Sequence, residues 1–371
     1  MKKKSMIAIL MAVTIMALSF SGCGERTDLA DQSVIEREDK TDLAVNTTEP
    51  ETVQMQTEST EETSEIQIET EIAEEGSEQD TTQTQQAVQE DTGLVTQFSE
   101  GELNARREQQ KNFAEARETL YSLPNSKEKT EEINQMDRQI LANNAYNFLG
   151  KNIVFIGDSI TEGITSAIDQ NGNPVSYVTY ANSYLRFNRV LNHGLGGRMF
   201  SDYGGEELSL TANFGNVTNI DSDIIVVFAG INDYLCVAEG KRFGDVYNKE
   251  STAGYCGSVR MFMKQLQQYY GDRDIFFVMM YNTSKKSQGT CTDVEEQPTF
   301  NDYLEIQRIL AKEYGFHVIE LYNIGFMDCS DKESSDYYLR DGLHPKDNGN
   351  IVLGEHIAAE LSLYFGQKQT N

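Results

Sequence analysis

Basic residues are scarce in this chain: 31 Lys and Arg stand against 59 Asp and Glu, for a formal net charge of −28. Apart from three consecutive lysines at positions 2–4, no segment clusters Lys and Arg, so we expect no nucleic-acid partner. The cysteines show no C-x-x-C spacing, which leaves zinc and redox chemistry without support. Four of them, Cys236, Cys256, Cys291 and Cys329, lie in predicted loops. Two disulfides are conceivable there, although a domain of this size does not need them.

Long apolar runs are also missing, except at the N-terminus. Lys2–Lys4 precede the apolar stretch Met6–Leu18, which is too short to span a bilayer comfortably. Phe20–Cys23 then places Ser and Gly directly before a cysteine. This arrangement resembles a bacterial lipobox, which implies that residues 1–23 are a signal peptide cleaved before Cys23. Acylation of that cysteine would anchor the protein to the extracytoplasmic face of the cell membrane. The alternative is a plain secretory signal with an incidental cysteine.

Much of the acidity lies in residues 24–98, which are rich in Thr, Glu, Gln and Ser. This segment contains over a third of the acidic residues and only three basic ones, Arg26, Arg37 and Lys40. It cannot bury enough apolar surface to offset the entropy of ordering its backbone, and its carboxylates repel one another. We therefore expect a disordered tether that holds the folded part away from the membrane.

Residues 99–149 have a helical pattern. Ser99 and Glu102 stand at capping-box spacing, and two apolar stripes of helical period are separated by a break at Pro124-Asn125. This pattern predicts a helical lead-in of two helices with a scaffolding role.

Residues 150–371 alternate between strand and helix patterns. Apolar runs of strand length occur at Asn152–Phe155, Phe187–Leu191, Ile224–Phe228, Ile275–Met280 and His317–Leu321. Amphipathic helical patterns occur at Ser258–Tyr270, Phe300–Tyr314 and Asn348–Phe365. Buried strands alternating with helices predict an α/β domain with a parallel sheet covered on both faces. Ligands of such sheets bind beyond the carboxyl ends of the strands.

Four polar motifs occupy those positions or precede the last helix. Gly157–Ser159 follows the first strand and places a serine where helix N–H groups favour negative charge, or simply forms a turn. The glycines of Gly194–Gly197 allow close backbone approach to a ligand, or form a flexible turn. Asn232 has two side-chain N–H donors for an oxyanion, or caps a helix. Asp341 and His344 are spaced so that Asp341 could orient His344 as a general base. The alternative is a turn at the start of a helix with an exposed histidine.

The order of these motifs is more specific than any one of them. Gly-Asp-Ser, Asn-x-Gly-x-Gly-Gly, Gly-x-Asn-Asp and Asp-x-x-His-Pro together resemble the blocks of the SGNH (GDSL-type) hydrolase family. The resemblance covers Lys151 to the C-terminus, with Ile160 in place of the usual Leu. It implies a three-layer α/β/α, flavodoxin-like hydrolase domain with a mostly five-stranded parallel sheet and no cofactor or metal.

The resemblance also assigns roles to five residues. Ser159 is the nucleophile, His344 the general base, and Asp341 the group that orients His344. The oxyanion hole consists of the backbone N–H groups of Ser159 and Gly197 together with the Asn232 side chain.

Neighbouring residues are expected to have lesser roles. We expect His193 to pack or face solvent, Arg198 to form a structural ion pair rather than bind a substrate carboxylate or phosphate, and His317 and His356 to lie on the surface. Two Tyr-containing loops, residues 234–255 and 281–299, are expected to flank the site, where they could stack on sugar rings.

The family includes esterases, thioesterases, lipases and carbohydrate deacetylases, so the fold cannot select the substrate. Export and tethering favour, as the substrate, an O-acetyl or other short-chain ester on a polysaccharide or cell-wall glycan. We expect the enzyme to be a monomer. The alternatives are a lipase or lysophospholipase-type acylhydrolase and a non-catalytic glycan-binding surface lipoprotein. A metal-dependent phosphodiesterase is disfavoured, because the sequence has no clustered Asp and His ligand spacing.

Overall fold

The computed structural model describes residues 98–218, 221–236 and 240–368. The predicted signal peptide, Cys23 and the predicted tether up to residue 97 lie outside the described residues. Within the described ranges, no helix combines the length and apolar character of a membrane span.

Five parallel strands form one sheet in the order β2-β1-β3-β4-β5. The strands are β1 (Asn152–Gly157), β2 (Arg189–Gly194), β3 (Ile224–Phe228), β4 (Asp274–Met279) and β5 (His317–Glu320). This confirms the predicted α/β fold with a five-stranded parallel sheet. β2 lies later than its predicted range, because Phe187 precedes the strand and packs edge-on against Phe148.

Two helices precede the strands, and the others separate or follow them. In chain order they are α1 (Glu100–Leu120), α2 (Lys127–Ala142), α3 (Ser159–Glu162), α4 (Tyr177–Leu185), α5 (Phe214–Thr218), α6 (Ile231–Leu235), α7 (Gly254–Tyr270), α8 (Phe300–Tyr314), α9 (Lys332–Tyr338) and α10 (Asp347–Lys368). The capping box predicted at the start of α1 is present, since Ser99 and Glu102 each accept a hydrogen bond from the other's backbone N–H.

Both faces of the sheet are apolar. Successive side chains of a strand point to opposite faces, and β4 illustrates this with Phe276 and Phe277. Phe276 packs edge-on against Tyr364 of α10, with ring centroids 5.2 Å apart. On the other face Phe277 stacks on Phe316 and Phe200. Phe200 in turn packs edge-on against Phe262 of α7, so helices cover the sheet on both sides, in three layers.

The strand order creates a crevice at the end of β1. β1 pairs with β2 on one side and with β3 on the other, so the connections that leave β1 and β3 diverge. Such a switch point is where open α/β sheets bind their ligands. α3 begins within two residues of the end of β1, and α6 begins within three residues of the end of β3.

A buried charge network ties α1 and α2 to α10. Asp137 of α2 is fully buried and forms an ion pair with Arg117 of α1. Its other oxygen lies 2.8 Å from Nδ1 of His356 in α10. Arg117 also contacts Glu360 of α10. The prediction that His356 is a surface residue is wrong, because it is the buried partner of Asp137.

No disulfide joins any two of the four described cysteines, Cys236, Cys256, Cys291 and Cys329. The expectation that all of them lie in loops is wrong for Cys256, which sits in the first turn of α7. Its thiol is buried, and burial raises its pKa to about 12.

Candidate active site

Ser159 stands at the first position of α3, directly beyond β1. Asp158 caps this helix by accepting a hydrogen bond from the Ile160 N–H at 3.0 Å. The N–H of Ser159 belongs to the first turn, where no intrahelical acceptor exists. No hydrogen bond from this N–H to any described residue is present. The serine therefore has a free backbone donor beside its hydroxyl.

The structure places His344 and Asp341 next to Ser159. Ser159 Oγ lies 2.9 Å from His344 Nε2, and His344 Nδ1 lies 3.1 Å from Asp341 Oδ2. Asp341 Oδ1 also accepts the His344 backbone N–H at 2.9 Å. Partial burial opposes ionisation of Asp341, but these hydrogen bonds and the nearby Lys285 hold its pKa well below the usual range. Asp341 is therefore an anion that holds the imidazole in one orientation.

The loop that carries His344 is fastened to the segment after β4. Thr283 Oγ1 and Ser284 N donate to the Gly342 carbonyl at 2.7 and 3.1 Å. The buried Tyr281 donates its hydroxyl to the Leu343 carbonyl at 2.6 Å. Sequence reasoning did not identify these supports, because their partners are backbone carbonyls about sixty residues away.

The expectation of sugar-stacking tyrosines is wrong for three of the four tyrosines in the two loops. Tyr234, Tyr255 and Tyr281 are buried in the core. Tyr247 is 80% exposed and is the one that remains accessible.

The glycine loop after β2 packs directly against α3. A Cβ on Gly194 would stand 2.0 Å from the Glu162 backbone nitrogen, so no other residue fits there. Gly196 N donates to the Glu162 carboxylate at 2.6 Å. Gly197 adopts φ +79°, a left-handed conformation that favours glycine. Its N–H makes no hydrogen bond to any acceptor in the described part of the chain.

The loop after β3 is joined to the glycine loop by two side chains. Asn232 Nδ2 donates to the Arg198 carbonyl at 2.9 Å, which leaves its second N–H available. The buried Asp233 accepts the backbone N–H groups of Phe200 and Ser201 at 2.8 and 2.9 Å. The sequence signals this role of Asp233 only by placing an acid directly after Asn232. Together they fix the position of Asn232 relative to Gly197.

Two buried carboxyls lie close to the triad. Burial raises the pKa of Asp158 to about 7, although the Ile160 N–H and His344 act in the opposite direction. Burial also raises the pKa of Asp233, against the hydrogen bonds it accepts from Ser201. The Gly-Asp-Ser motif does not indicate this raised pKa of Asp158, because the burial of its side chain depends on the packing around β1.

The remaining candidates take other positions. The predicted ion pair of Arg198 is absent from the described residues; its Nη1 donates to the His193 carbonyl at 2.6 Å. His193 is half-buried, and burial lowers its pKa. His317 packs against Tyr364 with ring centroids 4.2 Å apart. No group of three or more His, Cys, Asp or Glu suited to a metal ion occurs among the described residues.

Several solved structures are similar to part of this chain. A protein from Lactobacillus plantarum superposes with a TM-score of 0.49 and 22% identity, over 58% of this chain and 98% of its own. A lipase/acylhydrolase from Enterococcus faecalis gives 0.39 and 18%, over 57% and 95%. An acetylxylan esterase from Geobacillus stearothermophilus gives 0.39 and 18%, over 58% and 96%. No curated protein matches the sequence significantly.

The sequence profile of the GDSL-like lipase/acylhydrolase family matches residues 155–351, more than half of the chain. The matched region begins in β1 and ends in α10, so it contains Ser159, the glycine loop, Asn232, Asp341 and His344. The chain therefore belongs to the GDSL-like lipase/acylhydrolase family.

Proposed function

We propose that the protein is a serine esterase in which Ser159, His344 and Asp341 form the catalytic triad. The observation that carries this proposal is the chain of contacts from Ser159 Oγ to His344 Nε2 at 2.9 Å and from His344 Nδ1 to Asp341 Oδ2 at 3.1 Å. A serine hydroxyl is a weak nucleophile until an adjacent base accepts its proton, and a base needs a third group to orient it.

The first half of the reaction forms an acyl-enzyme. His344 Nε2 takes the hydroxyl proton while Ser159 Oγ attacks the ester carbonyl, and the carbonyl oxygen becomes an oxyanion. The free N–H groups of Ser159 and Gly197 and the second N–H of Asn232 are the proposed donors to that oxyanion. The intermediate collapses, the C–O bond to the alcohol breaks, and the imidazolium returns its proton to the leaving alcohol.

The second half uses water. His344 removes a proton from a water molecule as it attacks the acyl-enzyme. The second tetrahedral intermediate then collapses, the bond between the acyl carbon and Ser159 Oγ breaks, and the imidazolium returns its proton to Oγ, which releases the carboxylic acid and regenerates Ser159. Asp341 stays ionised throughout, because its hydrogen bonds hold its pKa low.

We propose that the substrate is an O-acetyl or other short-chain ester on a polysaccharide or cell-wall glycan. The support comes from the sequence: the lipobox-like leader ending at Cys23 and the acidic segment behind it would tether the enzyme outside the cell. An enzyme in that location meets acylated polymers.

A second candidate is an acylhydrolase that acts on lipid esters, and one observation favours it. Ile164 and Leu195 are 55% and 39% exposed, which is high for large aliphatic side chains. The Ile164 N–H donates to the Ser159 carbonyl at 3.2 Å, and Leu195 belongs to the glycine loop. Both residues thus belong to segments whose backbone adjoins Ser159 or the glycine loop, and they present exposed apolar side chains there.

The test combines a covalent probe with substrates of different chain length. A fluorophosphonate should label the full chain and not its Ser159→Ala variant, whereas Ser183→Ala, which removes an exposed hydroxyl, should label normally. Absence of labelling in the folded wild-type protein would refute the serine mechanism. Turnover of p-nitrophenyl acetate and acetylated glycan supports the first substrate class. Turnover confined to long-chain micellar esters would favour the second.

A further inference from the structure

Arg198 connects the parts of the proposed oxyanion hole. It follows Gly197, and its backbone carbonyl accepts the hydrogen bond from Asn232 Nδ2 at 2.9 Å. Its backbone N–H donates to the Leu195 carbonyl at 3.1 Å, which closes the turn that contains Gly197. Its guanidinium reaches back to the His193 carbonyl at 2.6 Å. One residue thus adjoins two of the three proposed donors and anchors the loop to the end of β2.

The setting of this guanidinium is unusual for a buried charge. Arg198 is only 9% exposed, and its buried Nε has no hydrogen-bond partner among the described residues. Burial lowers its pKa, while the more distant Glu162 and Asp158 act in the opposite direction. The buried Arg117 and Arg260, by contrast, each form an ion pair with a carboxylate. Burial of a charge without an ion pair is costly, so packing alone does not account for Arg198.

The loop next to it needs external support. Gly194, Gly196 and Gly197 lie within four positions, and glycine has the widest range of backbone conformations. A donor stabilises an oxyanion fully only when it already points at the place where the charge develops. The contact between Arg198 Nη1 and the His193 carbonyl spans this flexible stretch and restricts it before substrate arrives.

We propose that Arg198 is a positioning residue that holds the glycine loop so that the Gly197 N–H faces the developing oxyanion. This proposal rests on the proposed esterase function. It places Arg198 outside direct contact with substrate, so removing its side chain should reduce turnover and leave substrate binding nearly unchanged.

The experiment measures kcat and KM of the full chain on p-nitrophenyl acetate. Arg198→Met keeps most of the side-chain volume and removes every donor. We expect its kcat to fall by about 10- to 100-fold, less than complete loss of an oxyanion donor costs, with KM within about twofold by the same argument. The kcat of Arg198→Lys should lie between those of Arg198→Met and the wild type, because the lysine side chain still has a donor but its nitrogen ends one atom short of Nη1. Arg189→Ala, at the exposed start of β2, is the control and should leave kcat and KM unchanged.

Three results would overturn the proposal. The first is a wild-type kcat in Arg198→Met. The second is a higher KM in Arg198→Met with an unchanged kcat. The third is a loss seen with an anionic ester, such as a hemisuccinate, but not with neutral p-nitrophenyl acetate, which would make Arg198 a substrate-binding residue. If Arg198→Met does not fold, a wild-type kcat in folded Arg198→Lys contradicts the proposal in the same way. Fluorophosphonate labelling of Ser159 in the wild-type protein tests the esterase function separately. If Ser159 is labelled, any of these results contradicts only the role of Arg198.

Discussion

The buried network around Asp137 gives a quantitative test of whether α1 and α2 are part of the folded domain. Asp137 is fully buried and accepts hydrogen bonds from Arg117 and His356. Asp137→Asn keeps the shape but removes the charge, so Arg117, itself only 4% exposed, loses one of its two carboxylate partners. Removing one partner of a buried ion pair typically costs about 3–5 kcal/mol. Because Arg117 keeps Glu360, we expect a loss near the lower end, about 3 kcal/mol.

This loss converts into a measurable change in melting temperature. A domain of about 270 ordered residues has an unfolding entropy of about 0.6 kcal/mol/K, so Tm should fall by about 5 °C. Urea unfolding should show a lower midpoint at an unchanged slope, since the surface exposed on unfolding is the same. Turnover at 25 °C should stay close to wild type, because the network does not contact Ser159, His344 or Asp341.

The matched control removes a charge from a solvent-exposed ion pair on the same helix. Glu131 is 47% exposed and pairs with Lys127, so Glu131→Gln should cost less than about 1 kcal/mol. If Asp137→Asn were no more destabilising than Glu131→Gln, the network would not hold α1 and α2 to α10. The two helices would then be an appendage rather than part of the domain.

Two further predictions concern the site. Asn232→Ala should lower kcat by about 10²–10³-fold with little change in Tm, because it removes one oxyanion donor; near-wild-type turnover would exclude that role. Asp158 has a folded-state pKa of about 7, whereas an unfolded Asp has about 3.9. The folded state therefore binds the extra proton between these values, and stability declines as pH rises through that window. In Asp158→Asn, the free energy of unfolding measured with urea should decline less between pH 5 and pH 8 than in the wild type. Some decline should remain, because the pKa of Asp233 is also raised. An undiminished decline would contradict the buried, proton-binding Asp158.

The sequence by itself determined the local features of this protein. Periodicity of two or 3.6 residues is written into each segment, so the strands, the long helices and the capping box at Ser99 followed from it. The order of the motifs, from Gly157–Ser159 to Asp341–His344, was sufficient to indicate the family. Parallel strands with polar motifs at their carboxyl ends then predicted where the candidate site lies.

Tertiary structure decided the contacts between segments that are distant along the chain. Asp137 and His356 are 219 positions apart, and nothing near either residue signals that they meet in the core. Arg198 has nearby carboxylates in the sequence, yet its guanidinium bonds to a backbone carbonyl, because the turn of the glycine loop brings His193 within reach. Such pairings depend on how helices and loops pack against one another, and that packing is the sum of many weak, non-local interactions that no local pattern records.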